Sequence, residues 1–146
     1  MMRQQQKQKC INDSFNMSKE QMEKLGISEL ADHDITQVSG GQLQRASIIR
    51  ALMNHPEIIF GDEPTGALNS KAALEVMDIL VEINESGTTI LLVTHDVKVA
   101  AKTERVLYML DGRLIGEKQL GKYQKGSLDI SAREERLSKW LMEKGF

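Results

Sequence analysis

The sequence predicts an α/β fold, a mostly parallel sheet flanked by helices, and three observations lead there. Two short apolar runs, IIF at Ile58 to Phe60 and TTILLV at 88 to 93, have the length and lack of alternation of strands buried on both faces. Each is separated from its neighbours by segments whose apolar residues recur at helical spacing, and strand, helix, strand order implies right-handed crossovers between parallel strands. Asp111-Gly112 is a two-residue hairpin signal, so RVLYML at 105 to 110 is followed by an antiparallel return, RLIGEK, at an edge.

Residues 1 to 16 are polar, glutamine-rich and without periodicity, and read as a mobile tail. Residues 17–146 form the folded portion. Ser18 with Gln21 is a capping-box pattern, Met22 and Leu25 follow at helical spacing, and Gly26 closes a short helix over 19–25. A polar loop, ISELADHDITQ, comes next. From Gly40 to Asn54 the positions Leu43, Ala46, Ile49 and Leu52 share a helical face, with Ser39 and Gln42 as a capping box and Pro56 as the stop. Residues 71–85 repeat the helical spacing through Ala73, Val76, Leu80 and Ile83, ended by Gly87. The segment THDVKVAAK is a short helical turn. Ser131 with Glu134 caps a last helix in which Leu137, Trp140 and Leu141 share a face.

Composition narrows the class. The 146 residues are 40% hydrophobic and 27% charged, with a formal net charge of -2, which forecasts no strong pull toward nucleic acid or anionic lipid. No apolar run approaches a membrane span, and MMRQQQKQKC lacks the apolar stretch of a signal peptide. The single cysteine, Cys10, has no disulfide or zinc partner, so a reducing compartment is expected.

In an open parallel sheet ligands collect outside the carboxyl ends of the strands. Two strands here end in ionisable groups: IIFGDEP in Asp62 and Glu63, and ILLVTHD in His95 and Asp96. Adjacent carboxylates there can divide labour, one holding a divalent cation through oxygen and the other orienting or deprotonating a water. Each pair alone also fits a solvated loop start, a helix cap or a structural histidine. A metal-dependent hydrolase built on Asp62, Glu63, His95 and Asp96 is one reading, although their spacing matches no strong zinc pattern.

The ordered set VSGGQLQR (38–45), IIFGDEPTGALNS (58–70) and TTILLVTHD (88–96) resembles the second half of the nucleotide-binding domain of ABC transporters, from about Ser18 to about Gly116. VSGGQ is similar to the signature motif, with Val38 where leucine is commoner. IIFGDE resembles the Walker B strand, GALNS the D-loop, and His95 the switch histidine. The wording GDEPTGAL is similar to the subgroup serving antimicrobial-peptide, macrolide or lipoprotein export.

The resemblance implies a truncated P-loop-NTPase-like sheet with a remnant of the helical signature subdomain. It implies ATP and Mg²⁺ as cofactors in a complete cassette dimer. Asp62 would hold the Mg²⁺ through water, Glu63 would polarise the attacking water, and His95 would contact the γ-phosphate. Ser39, Gly40, Gly41 and Gln42 would face ATP held by a second ABC ATPase subunit, and Ala67, Leu68 and Asn69 would lie at the seam between subunits. Asn69 stands where aspartate is usual. Membrane-spanning permease subunits would be the other partners, with the domain cytoplasmic, peripheral at the inner face of the membrane and not itself inserted.

The general chemistry of the glycines needs no family: a helix N-terminus attracts anions, and glycine lets backbone approach a phosphate. What the 146 residues lack is a G-x-x-x-x-G-K-[ST] loop, with its preceding adenine-stacking aromatic and its following glutamine loop. GEKQLGKY, Gly116 to Tyr123, has the glycine and lysine spacing but puts Tyr123 where the magnesium-binding hydroxyl belongs, opens no helix, and lies on the wrong side of the other motifs. It reads as the exit of the edge strand. Two classes of function follow: the ATP-binding subunit of an ABC transporter, present as a fragment inactive alone, or a non-catalytic module that binds an intact ABC ATPase. In either case the missing strands would leave Ile58, Ile59, Leu91 and Leu92 incompletely covered, and the chain marginally stable or self-associating.

Overall fold

A computed structural model describes residues 19–32 and 34–146. The proposed tail and the cap at Ser18 lie outside them. Residues 19–24 are helical (α1) and close on Gly26 at φ 64°, where the N–H of Ile27 returns to the Met22 carbonyl at 2.9 Å. This left-handed closure turns the chain inward, and Ile27 is fully buried. The expected polar loop contains two 3₁₀ turns, Ser28–Asp32 and Ile35–Gln37, the second capped by Asp34, whose carboxylate accepts the Thr36 N–H.

Four longer elements follow in the anticipated order: α2 (Gly40–Leu52), β1 (Ile58–Asp62), α3 (Ser70–Glu85) and β2 (Thr89–Val93). Helix α2 stops at Leu52, short of Pro56, because the chain turns at His55 with φ 47°. Strands β1 and β2 pair in parallel, with Ile58 opposite Thr89 and Asp62 opposite Val93. Over them lies α3, whose Val76, Met77, Ile79, Leu80 and Ile83 form one core cluster with Ile48, Ile59 and Val99. Arg45 ties α1, α2 and α3 together: it donates to the Leu25 carbonyl at 3.2 Å and pairs with Glu75.

After a four-residue helix, α4 (Val97–Ala100), come β3 (Arg105–Leu110), β4 (Arg113–Gln119) and α5 (Ile130–Glu143). The Asp111-Gly112 turn, with φ of 48° and 73°, makes the antiparallel hairpin that the sequence predicts. Helix α5 covers one face of it through Leu137, Trp140 and Leu141, which cluster with Ala101, Tyr108 and Leu120. Gly116 allows this contact, since a Cβ there would meet the Trp140 ring at 3.0 Å. The first half of the GEKQLGKY string, Gly116 to Gln119, is strand, and the Tyr123 ring beyond it lies near both Lys102 and Arg133.

Two expectations need correction. Strand β3 does not extend the parallel sheet. Among the described residues β1–β2 and β3–β4 are separate two-stranded ladders, because the tight turn gives β3 its partner and nothing described fills the place beside β2. Nor does Ser131 cap α5. The helix starts at Ile130 with Asp129 at the cap position, and Asp129 accepts a hydrogen bond from the Ser127 hydroxyl at 2.5 Å instead of capping the helix.

The coverage expected of the strands is half right. Ile58 and Leu91 are exposed, but Ile59 is buried and Leu92 packs against the core. Phe60, Val93 and Met109 are also more than half exposed. Short ladders with open edges and apolar side chains in water template further pairing. The 146-residue chain is expected to self-associate, read as a concentration-dependent mass by light scattering. A monomer of unchanging mass across the concentration series would refute this.

Candidate functional site

The site is built where β1 and β2 end. Because the strands pair in register from Ile58–Thr89 to Asp62–Val93, the residues just beyond them meet at one level, and the N–H of Glu63 donates to the Val93 carbonyl at 2.8 Å. Gly61 permits this pairing: a Cβ there would come within 2.9 Å of Leu92 Cδ2. Glu63 then takes a φ of 44°, a left-handed backbone disfavoured for a residue with a Cβ, and it turns the side chain toward the end of β2.

There its carboxylate is gripped by three groups. Oε1 accepts the backbone N–H of His95 at 2.9 Å and lies 2.5 Å from His95 Nδ1, while Oε2 accepts the Thr94 hydroxyl at 3.1 Å. The His95 side-chain hydrogen bond, helped by that N–H and by Thr94 and opposed by partial desolvation, holds the Glu63 carboxyl below the usual carboxylate range. Glu63 is thus an ionised, oriented carboxylate at neutral pH, able to accept a hydrogen bond or a proton from a water. The His95 ring is 82% exposed and Glu63 about a third exposed, so a ligand can reach both.

Asp62 ends β1 beside this pair and is exposed. A single oxygen donor suits Mg²⁺, which takes few protein carboxylates and completes its shell with water and phosphate. Among the described residues no three His, Cys, Asp or Glu side chains gather as a metal site, and Asp96 is occupied as the cap of α4, accepting the Lys98 N–H at 2.8 Å. This arrangement gives a metal-dependent hydrolase of four clustered ligands no support.

The glycine helix starts as the sequence predicts. Ser39 Oγ accepts the Gln42 N–H at 3.3 Å and the Ser39 N–H donates to Gln42 Oε1 at 2.8 Å, closing a full capping box. Ser39 and Gly40 are exposed, and the first N–H groups of a helix have no acceptor within it. Gly41 is buried for a reason the sequence did not disclose: a Cβ there would stand 3.1 Å from that of Ala72, so the starts of α2 and α3 approach closely. Gln42 spends its amide oxygen on the cap. Asn69 caps α3, accepting the Ala72 N–H at 2.9 Å, which gives it a structural use whatever its charge. Ala67 is exposed, whereas Leu68 packs partly into the core beside Gly40.

Of the predicted residues, Glu63 and His95 are in contact and Asp62 is at the same strand ends. Ser39 to Gln42 stand together on another element, next to Leu68. Thr94 was not singled out from sequence; its only signal was its place between a strand and a histidine.

A parallel strand pair ending in such an acid and histidine, preceded in the chain by a capped glycine helix, fits an α/β nucleotide-binding cassette. The ABC transporter family profile matches residues 2–66, a span that takes in the polar residues 2–17. The chain is 56% identical over 97 residues to the probable syringafactin export ATP-binding/permease protein of Pseudomonas syringae, covering 66% of this chain and 15% of that protein. It is 50% identical over 95 residues to the macrolide export ATP-binding/permease protein MacB of Burkholderia pseudomallei, covering 65% and 14%. Among solved structures, the dimeric bacterial ABC transporter cassette MJ0796 is 41% identical with a TM-score of 0.65, over 74% of this chain and 47% of that one. The same cassette in a post-hydrolysis state bound to ADP and Pi gives 39% and 0.58, over 82% and 49%. The chain belongs to the ABC transporter family, and it spans about half the length of those cassettes and far less of the export proteins.

Proposed function

We propose that this chain is the carboxyl-terminal part of the ATP-binding domain of an export-type ABC transporter, working by ATP hydrolysis once it is joined to a phosphate-binding half and paired with a second cassette. The contact of Glu63 with His95 at the ends of two strands in register carries this reading. It favours a hydrolytic site over a non-catalytic module, because an ionised carboxylate held with both oxygens oriented is the arrangement a general base needs.

Glu63 would orient and deprotonate the attacking water, and the exposed ring of His95 would leave Glu63 to meet the γ-phosphate. Asp62 would hold Mg²⁺ through water, and that ion when bound would neutralise charge developing on the phosphate oxygens. Ser39 and the N–H groups of Gly40 and Gly41 would face the γ-phosphate of ATP bound by the partner cassette, stabilising charge without reorganisation. Ala67 and Asn69 would lie at the seam between cassettes. The export relatives are named as ATP-binding/permease proteins, which supports membrane-spanning partners and a place at the inner membrane face. Among the described residues no helix is long and apolar enough to cross a membrane itself.

The test joins residues 19–146 to the part of the MJ0796 cassette that this chain does not match. The 146-residue chain alone is expected to show no tight ATP binding by titration calorimetry, and the chimera is expected to hydrolyse ATP in the presence of Mg²⁺. A folded chimera that binds ATP but releases no phosphate, under conditions where the parent cassette does, would overturn the proposal.

A further inference from the structure

The hydroxyl of Thr94 links the two elements that carry the site. It donates to Glu63 Oε2 at 3.1 Å and accepts the backbone N–H of Asp96 at 3.1 Å. A threonine hydroxyl has one proton. With the Asp96 N–H on its oxygen, that proton is directed at the carboxylate. Asp96 is fixed in turn, because its side chain caps α4 through the Lys98 N–H.

The three groups on Glu63 differ in how easily they can leave. The His95 N–H and the Thr94 hydroxyl are anchored at the end of β2, whereas the His95 ring is a largely exposed side chain. Rotation of that ring would free a lone pair on Oε1 while leaving one anchored donor on each oxygen. Among the described residues the Thr94 hydroxyl is the donor that holds Oε2, on a carboxylate with three rotatable bonds and a left-handed backbone.

We propose that Thr94 is a positioning residue for Glu63: its hydroxyl fixes Oε2, so that the carboxylate keeps its aim when the His95 ring departs and a water takes the ring's place at Oε1. The inference rests on the reading of Glu63 as the base, and it adds a residue that acts through Glu63 without touching the water. Valine at position 94 keeps the shape and loses the donor. Serine keeps the donor and loses only a methyl group.

The first measurement needs no nucleotide. In NMR spectra of the nucleotide-free chimera, the Thr94 hydroxyl proton is expected to exchange slowly with solvent and to show a cross-peak to the Glu63 side chain. A hydroxyl exchanging as freely as that of an exposed threonine would overturn the proposal, whether or not any variant folds. The second uses the same chimera: Thr94→Val is expected to lower kcat by roughly 10- to 100-fold with KM for ATP changed less than about threefold, and Thr94→Ser to recover most of the loss. A folded Thr94→Val chimera turning over at the parent rate, or a folded Thr94→Ser chimera no better than valine, would also overturn it. Unchanged turnover in Glu63→Gln would instead sink the reading of Glu63 as base, while leaving the hydroxyl signal in place.

Discussion

Replacing Arg133 with methionine is expected to remove about 3–5 kcal/mol of stability, the largest loss from any side chain distant from the site. Arg133 is buried, and its guanidinium serves four carbonyls: Nε donates to Ala101 at 2.8 Å, Nη1 to Leu120 at 2.9 Å, and Nη2 to Thr103 at 2.9 Å and Gly121 at 2.8 Å. These acceptors belong to the end of α4 and to the chain just past β4, so one side chain ties α5 to both. Methionine keeps most of the bulk and orphans all four. The carbonyls of exposed Gly121 and half-buried Thr103 can turn to water, but those of buried Ala101 and Leu120 cannot without opening the cluster, at roughly 1–3 kcal/mol each. Arg133→Lys is expected to recover little, because an ammonium is a point donor and cannot span a planar fork. Trp140 is the sole tryptophan and lies in the same cluster, so urea unfolding followed by its fluorescence reads the effect directly. A midpoint within experimental error of the parent would show that the four bonds contribute nothing net.

The second large effect is chemical. Glu63→Gln in the chimeric cassette is expected to lower ATP turnover by about 10²- to 10⁴-fold, the range a well-placed general base supplies, while ATP binding persists. The amide has nearly the shape of the carboxylate and can still accept the His95 N–H, so the fold should survive; what it cannot do is take a proton. Phosphate release in single-turnover experiments separates this from a binding defect. Loss of ATP affinity in parallel with rate would mean that Glu63 holds nucleotide instead of activating water.

How much of this was legible beforehand depended on how local each cause was. The α-helices and strands beyond the tail were readable in order, though not the two 3₁₀ turns of the polar loop, because capping boxes, glycine stops and the Asp-Gly turn act within a few residues of one another. The cap at Ser39 is a case in point, formed as its spacing required. The meeting of Glu63 with His95 was foreseeable only in outline: parallel strands bring their carboxyl ends together, but the 2.5 Å contact depends on the register in which Asp62 pairs with Val93. Arg133, Ile27 and the burial of Gly41 gave no sequence signal, because each is defined by partners far along the chain or by a close approach of two helices. The start of α5 was misplaced for a nearer reason. Ser131 and Glu134 form a credible box, yet the helix begins one residue before Ser131, at Ile130, with Arg133 directed into the protein.

The glycine in the middle of β1 has a bearing on genetics. Since the acid and the histidine are aligned by the backbone ladder, their spacing is owned by the strands and not by the loops that follow. A methyl group at Gly61 would come within 2.9 Å of Leu92 Cδ2, so that side chain would have to turn aside while the ladder holds. Alleles at position 61 would then be read through position 92, whose side chain must move to admit them.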